Sequence, residues 1–176
     1  MPRLVAFLRA VNVGGRTVKM DALRAAFEAL GLTKVETFIA SGNVVFDSKG
    51  RDLAALERRI ENALHASFGF EIDTFVRTRD EVAALAAHAA FEAAETTQVV
   101  GFLRAVPDAG ALKTIAGMGS EVDRFQVEGR ELFWLSSAKQ SESVFSNAVF
   151  ERALKLRTTF RGVGSLRKMV AKHGGG

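Results

Sequence analysis

Val5-Ala6-Phe7-Leu8-Arg9-Ala10-Val11 recurs later in the chain as Val100-Gly101-Phe102-Leu103-Arg104-Ala105-Val106, with six of seven positions identical. Chance seldom produces such a match in 176 residues, so it marks an internal repeat. Landmarks further on keep the same order: Phe38, Gly42 and Phe46 are answered by Phe125, Gly129 and Phe133, and Thr74-Phe75 by Thr159-Phe160. The sequence reads as two copies of one unit joined near residues 92–97. The first covers 1–91, the second 98–173, and 174–176 form a flexible glycine tail.

Periodicity gives the content of each copy. In the first, Leu4–Val11 is rich in β-formers and is followed by a glycine loop and a helix whose Met20, Leu23, Phe27 and Leu30 share one face. Gly31 stops that helix, because a left-handed terminal residue is cheap for glycine. Val35–Ala40 and Val44–Asp47 flank Ser41-Gly42-Asn43, which reads as a hairpin because glycine and asparagine tolerate positive φ. Asp52 then caps a helix with Leu53, Leu56, Ile60 and Leu64 along one stripe, Ile72–Arg77 is a fourth strand, and Asp80 opens a helix to about Ala90. The second copy repeats the order with a strand over Gln98–Val106, a helix from about Asp108 to Ala116 and a hairpin around Gly129. A helix over about Glu142–Leu154, a strand near Thr158–Arg161 and a helix after Ser165 complete it.

This order is that of a ferredoxin-like split β-α-β plait. The expected fold is therefore α+β, two ferredoxin-like βαββαβ units from an internal duplication. Leu4, Ala6 and Leu8 alternate with Val5 and Phe7, so the first strand is apolar at both parities and both its faces should be covered. Trp134, beside Phe133, is the aromatic most exposed by its position, with core or interface as its default place.

Composition narrows the classes of function. Apolar residues make up 48% and charged ones 25%, so a packed core is expected and wholesale disorder is not. There is no cysteine, which excludes disulfides, thiolate metal sites and a cysteine nucleophile, and makes a reducing cytoplasm the expected location. The arginine inside MPRLVAFLRAV argues against a signal peptide or a spanning helix, so no membrane partner is expected. The net charge is +4, and Glu151 to Gly176 holds seven Lys or Arg against one acid. Such a segment is either a solvated cationic helix face or a surface for phosphates, nucleic acid included.

Metal and nucleophile patterns are missing. His65, His88 and His173 stand far apart in no zinc-ligand spacing and read as surface helix residues, and no G-x-S-x-G elbow exists. Asp80-Glu81 reads as first-turn helix charge rather than an acid/base pair. Fourteen phenylalanines raise base stacking on sheet aromatics, but no RNA-binding signature of the R-G-F-G-F-V-x-F type is present. No metal or cofactor is expected.

The plait topology points instead to one edge of the first unit. Strands one and two run parallel with strand three between them, so the loop leaving strand one and the hairpin after strand two emerge together. That brings Arg9, Asn12, Gly14 and Gly15 towards Ser41, Gly42 and Asn43. Gly14-Gly15 allows close backbone approach, the helix start beyond it favours negative charge, and Arg9 supplies a planar fork for carboxylate or phosphate. The stretch Val13–Val18 is neither a P-loop nor a dinucleotide fingerprint. Each residue also has a plain structural role open to it, in a turn, a hairpin or a local backbone bond. The second copy keeps Arg104 but has Val106-Pro107-Asp108-Ala109-Gly110 and Glu128-Gly129-Arg130 at the matching places, so fold alone does not demand the polar set of the first.

Two stretches, Phe7-Leu8-Arg9-Ala10-Val11-Asn12-Val13-Gly14-Gly15 and Thr37-Phe38-Ile39-Ala40-Ser41-Gly42-Asn43-Val44-Val45-Phe46, resemble the hallmark motifs of the domain of unknown function 1697 family, L-L-R-G-I-N-V-G-G and T-Y-I-Q-S-G-N-V-V-F. The resemblance runs over nearly the whole chain and implies two ferredoxin-like halves with no established activity. Ser146-Asn147 is similar to the family's S-N helix start, and Thr159-Phe160-Arg161-Gly162-Val163 falls where T-T-R-N-W is usual, without its asparagine and tryptophan. The resemblance thus adds Ser146, Asn147, Thr159 and Arg161 as candidates, in a pocket altered at Gly162 and Val163; helix capping or packing is the other reading of Ser146-Asn147.

Three functions stay open from the sequence. The first is a binding module for a small anionic or phosphate-bearing ligand at the first-unit edge. The second is an enzyme acting on a phosphorylated or carboxylated metabolite, with Arg9 orienting substrate and Ser41 or Asn43 assisting. The third is nucleic-acid association through the basic C-terminal segment. Oligomeric state is left open.

Overall fold

The computed structural model describes residues 2–9, 17–38, 42–92, 95–139 and 145–173, with the side chains of Asn147 and His173 outside that description. The chain divides into two compact units, Met1–Val82 with Met169–Gly176, and Ala83–Lys168, where the repeat alone suggested 1–91 and 98–173.

The first unit runs β1 (Arg3–Leu8), α1 (Met20–Ala29), β2 (Thr33–Thr37), β3 (Asn43–Asp47), α2 (Leu53–Phe68) and β4 (Thr74–Thr78). Its four strands are ordered β2-β3-β1-β4, and every neighbouring pair is antiparallel. Leu23 and Phe27 of α1 are buried against the sheet, whereas Met20, expected on the same stripe, is 48% exposed at the first turn. Gly31 has φ +85°, the left-handed value that ends the helix as expected. Asp52 caps α2 by accepting from the Ala55 N–H at 3.0 Å, and Leu56, Ile60 and Leu64 form its buried stripe. All of Leu4 to Leu8 is buried, so β1 is covered on both faces.

Helix α3 (Arg79–Ala86) comes next, shorter than the expected span to Ala90. Beyond it a 3-10 turn over Ala89–Phe91 is capped by His88, whose Nδ1 accepts from the Ala90 N–H at 3.0 Å. The second unit continues with β5 (Thr97–Leu103), α4 (Ala109–Ala116), β6 (Asp123–Glu128), β7 (Glu131–Ser136), α5 (Asn147–Leu154), β8 (Thr158–Gly162) and α6 (Val163–His173). Its sheet order, β6-β7-β5-β8, again all antiparallel, matches that of the first unit element for element. The chain is thus mixed α+β with two four-stranded antiparallel sheets. Among the described residues no helix is long and apolar enough to cross a membrane.

Register corrects how the two copies align. Phe7 faces Phe75, but Phe102 faces Thr159, so Thr74 matches Thr158 and Arg77 matches Arg161, one residue away from the sequence landmark. Likewise Leu4 faces Phe46 while Val99 faces Trp134, so Trp134 and not Phe133 takes the place of Phe46. A slip of one residue would turn each of these rings to the opposite face of its sheet. Trp134 is accordingly core, 1% exposed, and its indole N–H donates to Asp123 Oδ1 at 2.9 Å.

The corrected alignment explains the single difference between the two seven-residue repeats. Ala6 faces Val76, whereas Gly101 faces Phe160. A Cβ on Gly101 would stand 2.6 Å from Phe160 Cε1, so the larger ring in β8 occupies the space of the missing methyl.

The two outer strands of the first sheet are closed to further pairing. Three N–H groups of β4, those of Thr74, Val76 and Thr78, donate to the carboxylates of Glu61 (3.0 Å), Glu57 (2.7 Å) and Glu81 (2.9 Å). At the other edge β2 carries a register shift between Thr33 and Glu36, with Lys34 at φ +50° and its carbonyl accepting from Arg3 Nη1. Arg77, wholly buried in β4, donates from Nη1 to the Val76 carbonyl at 3.0 Å and lies 4.0 Å from Glu57 Oε2.

Both kinds of contact can be tested through stability. Gly101→Ala alone destabilises the chain by about 1–3 kcal/mol through overpacking, and Phe160→Val in the same chain recovers part of that loss in a double-mutant cycle read by urea denaturation; additive effects would contradict the exchange of volume. Glu57→Leu, which strips an acceptor from the Val76 N–H and a carboxylate from beside Arg77, lowers stability by about 3–5 kcal/mol, while Glu57→Gln, keeping an acceptor oxygen, costs less.

Candidate functional site

The edge of the first unit is set by how β1 ends. Phe7 pairs with Asn43 in β3, so β1 leaves the sheet at Leu8 beside Gly42, and Arg9 comes next at that edge. The Arg9 N–H donates to the Asp73 carbonyl at 2.9 Å. Its guanidinium lies 3.9 Å from the Asp73 carboxylate, a long ion pair whose side chains are 28% and 15% exposed. The charge is therefore held close to the surface by the residue just before β4.

Asn43 is used mainly inside the hairpin. Its Nδ2 donates to the Phe38 carbonyl at 2.9 Å, its own carbonyl accepts from the Phe38 N–H at 2.9 Å, and it is 3% exposed. These two bonds staple the ends of the β2–β3 connection, which is the structural role the sequence left open. Over the Phe38 ring, at 5.5 Å from its centroid, stands the ammonium of Lys172 from the last turns of α6, which belong to this unit. Helix α1 begins after Lys19, which gives it no side-chain cap. The described part of the edge thus carries Arg9, Lys172 over an aromatic ring, and the start of α1 after Lys19, next to Thr37. Asn12, Gly14, Gly15 and Ser41 lie outside the described residues.

The remaining candidates belong to the second unit. Ser146 caps α5, its hydroxyl accepting from the Val149 N–H at 3.4 Å, and Asn147 is the first residue of that helix. The helix starts at Asn147 rather than near Glu142. Thr159 is buried in β8 and accepts from Arg161 Nη1 at 2.7 Å; the same nitrogen donates to the Phe160 carbonyl at 2.8 Å. Burial pushes the Arg161 guanidinium down from its usual range to about 10, which leaves it a cation at neutral pH.

Sequence reasoning missed the first-unit counterpart of this arginine. Thr74-Phe75-Val76-Arg77 and Thr158-Thr159-Phe160-Arg161 share a Thr-x-x-Arg pattern. Glu57 and Glu151 stand five residues after the N-caps Asp52 and Ser146. The signal is present in the sequence, but matching Thr74-Phe75 to Thr159-Phe160 sets it one residue out of register.

His88 also departs from its expected surface role. Since Nδ1 accepts from Ala90, Nε2 carries the proton of the neutral ring and donates to Glu128 Oε2 at 2.8 Å, with the Phe133 ring tilted against it at 4.5 Å. Both nitrogens are engaged, which leaves none to act as an acid or base. Among the described residues no group of three or more His, Asp or Glu could hold a metal ion.

Asn43→Ala therefore lowers stability by about 1–3 kcal/mol, since the part-buried Phe38 carbonyl loses its side-chain donor, and Ser146→Ala by about 1 kcal/mol through the lost cap; urea midpoints check both, and an unchanged midpoint for Asn43→Ala would leave its side chain available to a ligand.

Residues 1–133 match the family model described as "Protein of unknown function (DUF1697)". Among solved structures, the chain is similar to that of conserved bacterial protein SP0830 from Streptococcus pneumoniae, with 23% sequence identity over 98% of each chain and a TM-score of 0.74. At that identity the likeness speaks for the fold alone. No curated protein matches the chain.

Proposed function

The chain belongs to the DUF1697 family of proteins of unknown function, and on that premise we propose that it binds a small anionic ligand, a carboxylate or a phosphate ester, at the edge of its first unit. The observation that carries this reading is the pairing of Phe7 with Asn43, which puts the end of β1 beside the start of β3. Arg9 and Lys172 supply positive charge there, and the long ion pair of Arg9 with Asp73 can be exchanged for short, bidentate bonds to an anion. Gly14-Gly15 would contribute backbone N–H groups, and Asn12 and Ser41 neutral donors. Asn43 is a positioning residue in this reading, tying the start of β3 to Phe38.

The same reading takes each unit as a ferredoxin-like plait and the pair as an internal duplication. It is supported by the strand orders β2-β3-β1-β4 and β6-β7-β5-β8 and by the exchange of Ala6 and Val76 for Gly101 and Phe160. Duplication explains why only one copy needs the polar set: the other keeps the frame and loses the glycine pair.

Isothermal titration of the full chain with inorganic phosphate, a nucleotide and a short RNA tests the proposal. Saturable binding of a phosphate-bearing ligand is expected, weakened at least about tenfold in Arg9→Ala, the loss of one charge-assisted contact, and weakened also in Asn12→Ala. Equal affinity in parent and Arg9→Ala would overturn it. Binding of RNA alone, falling steeply with salt, would shift the assignment to the basic C-terminal segment.

A further inference from the structure

We propose that β6 is a self-pairing edge through which two copies of this chain associate, strand against strand, about a two-fold axis at Gln126. The first observation is contrast. Both outer strands of the first sheet are blocked, β4 by three carboxylates and β2 by its irregular register, whereas β6 pairs with β7 in unbroken register from Asp123 to Glu128. It is the outermost strand of its sheet among the described residues.

The second observation is which groups face outward. In an antiparallel ladder alternate residues bond to the neighbouring strand and those between turn away. Asp123 bonds Ser120 with both its N–H and its carbonyl, so it belongs to the outward set. Phe125 and Val127 share that parity, and among the described residues nothing beyond the sheet partners their backbone groups. Their side chains are half-buried, and the edge is six residues long without glycine or proline.

The third observation, which selects a second copy as the occupant, is that the strand is complementary to itself. Read antiparallel about Gln126, Asp123-Arg124-Phe125-Gln126-Val127-Glu128 places Arg124 of one copy opposite Glu128 of the other, and Phe125 opposite Val127. Phe125 and Val127 would exchange backbone bonds, and Arg124 with Glu128 would form the closer, non-hydrogen-bonded pair in which opposite charges attract most. Both charged side chains are about half exposed, at 57% and 50%, and lie on the same face, where Arg124 meets Glu95 and Glu128 meets His88 and Gln126. The pairing is isologous and closes on itself. One strand pair buries less than the roughly 1,000 Å² of a stable interface, so the dimer dissociates on dilution.

Analytical ultracentrifugation of the full chain from micromolar to millimolar concentration reads this directly. The parent is expected to move from monomer towards twice that mass. Arg124→Glu and Glu128→Arg are each expected to remain monomeric, and their equimolar mixture to dimerise, since only mixed pairs place opposite charges together at both contacts. Val127→Pro removes an outward N–H that the ladder with β7 does not use and is expected to stay monomeric while keeping the parent's circular dichroism spectrum. A parent monomeric throughout, a mixture of the two charge variants that fails to associate, or a folded Val127→Pro that dimerises like the parent would each overturn the proposal.

Discussion

The register of β1 between β3 and β4 is the constraint on which the first unit rests. Phe7 lies opposite Asn43 on one side and Phe75 on the other, and this single alignment decides which side chains occupy each face of the sheet. It turns Leu4, Ala6, Leu8, Val44, Phe46 and Val76 towards α1 and α2, and Val5, Phe7, Val45, Phe75 and Arg77 to the opposite face, all buried. It also decides where β1 stops, with Phe7 opposite Asn43 at the start of β3. Burying both faces fixes the register firmly, because a shift by one residue would drive Arg77 and Asn43 into the helix-packed core.

Polar groups in this frame are handled by pairing rather than exposure. Glu57 and Glu61, one turn apart on α2, satisfy outward N–H groups of β4 that would otherwise present an open edge. Glu57 also lies within ion-pair distance of Arg77, so one carboxylate serves both a strand edge and a buried cation. Asn43 plays a similar part at the hairpin, where its side-chain amide donates to the Phe38 carbonyl and its backbone carbonyl accepts from the Phe38 N–H. Removing such a group costs more than its bond, since the partner stays buried.

The repeat, the order of elements and the double burial of β1 were legible in the sequence because hydrophobic period and glycine placement are local signals. The Asp52 cap was legible too, whereas Asp108 and Ser146, which also accept the N–H three residues on, were not read as settled caps. Register was not. Phe133 and Trp134 are both large and aromatic, and pattern alone could not say which one answers Phe46; cross-strand pairing chose Trp134 because its indole reaches Asp123 from that face. Thr158 and Thr159 posed the same ambiguity, which hid Arg77 as the counterpart of Arg161. At the site, topology grouped Arg9 with Gly42 and Asn43, and the structure pairs Phe7, two residues before Arg9, with Asn43 while Arg9 itself meets Asp73. Sequence reasoning did not separate Asn43, committed to the Phe38 backbone, from residues that could meet a ligand, because a local bond leaves no trace in spacing. The cation of Lys172 over Phe38 was equally out of reach, since it joins ends of the chain that no local pattern connects.

In the proposed reading, the segment after β1 and the segment before β3 act as one receptor. Titrating inorganic phosphate into the labelled full chain while following its amide proton–nitrogen NMR spectrum measures this most directly. The amides of Gly14, Gly15 and Gly42 are predicted to shift together along one saturable curve, with the Arg9 side chain responding at the same concentration. Shifts confined to the basic helix α6, or to one turn without the other, would contradict it.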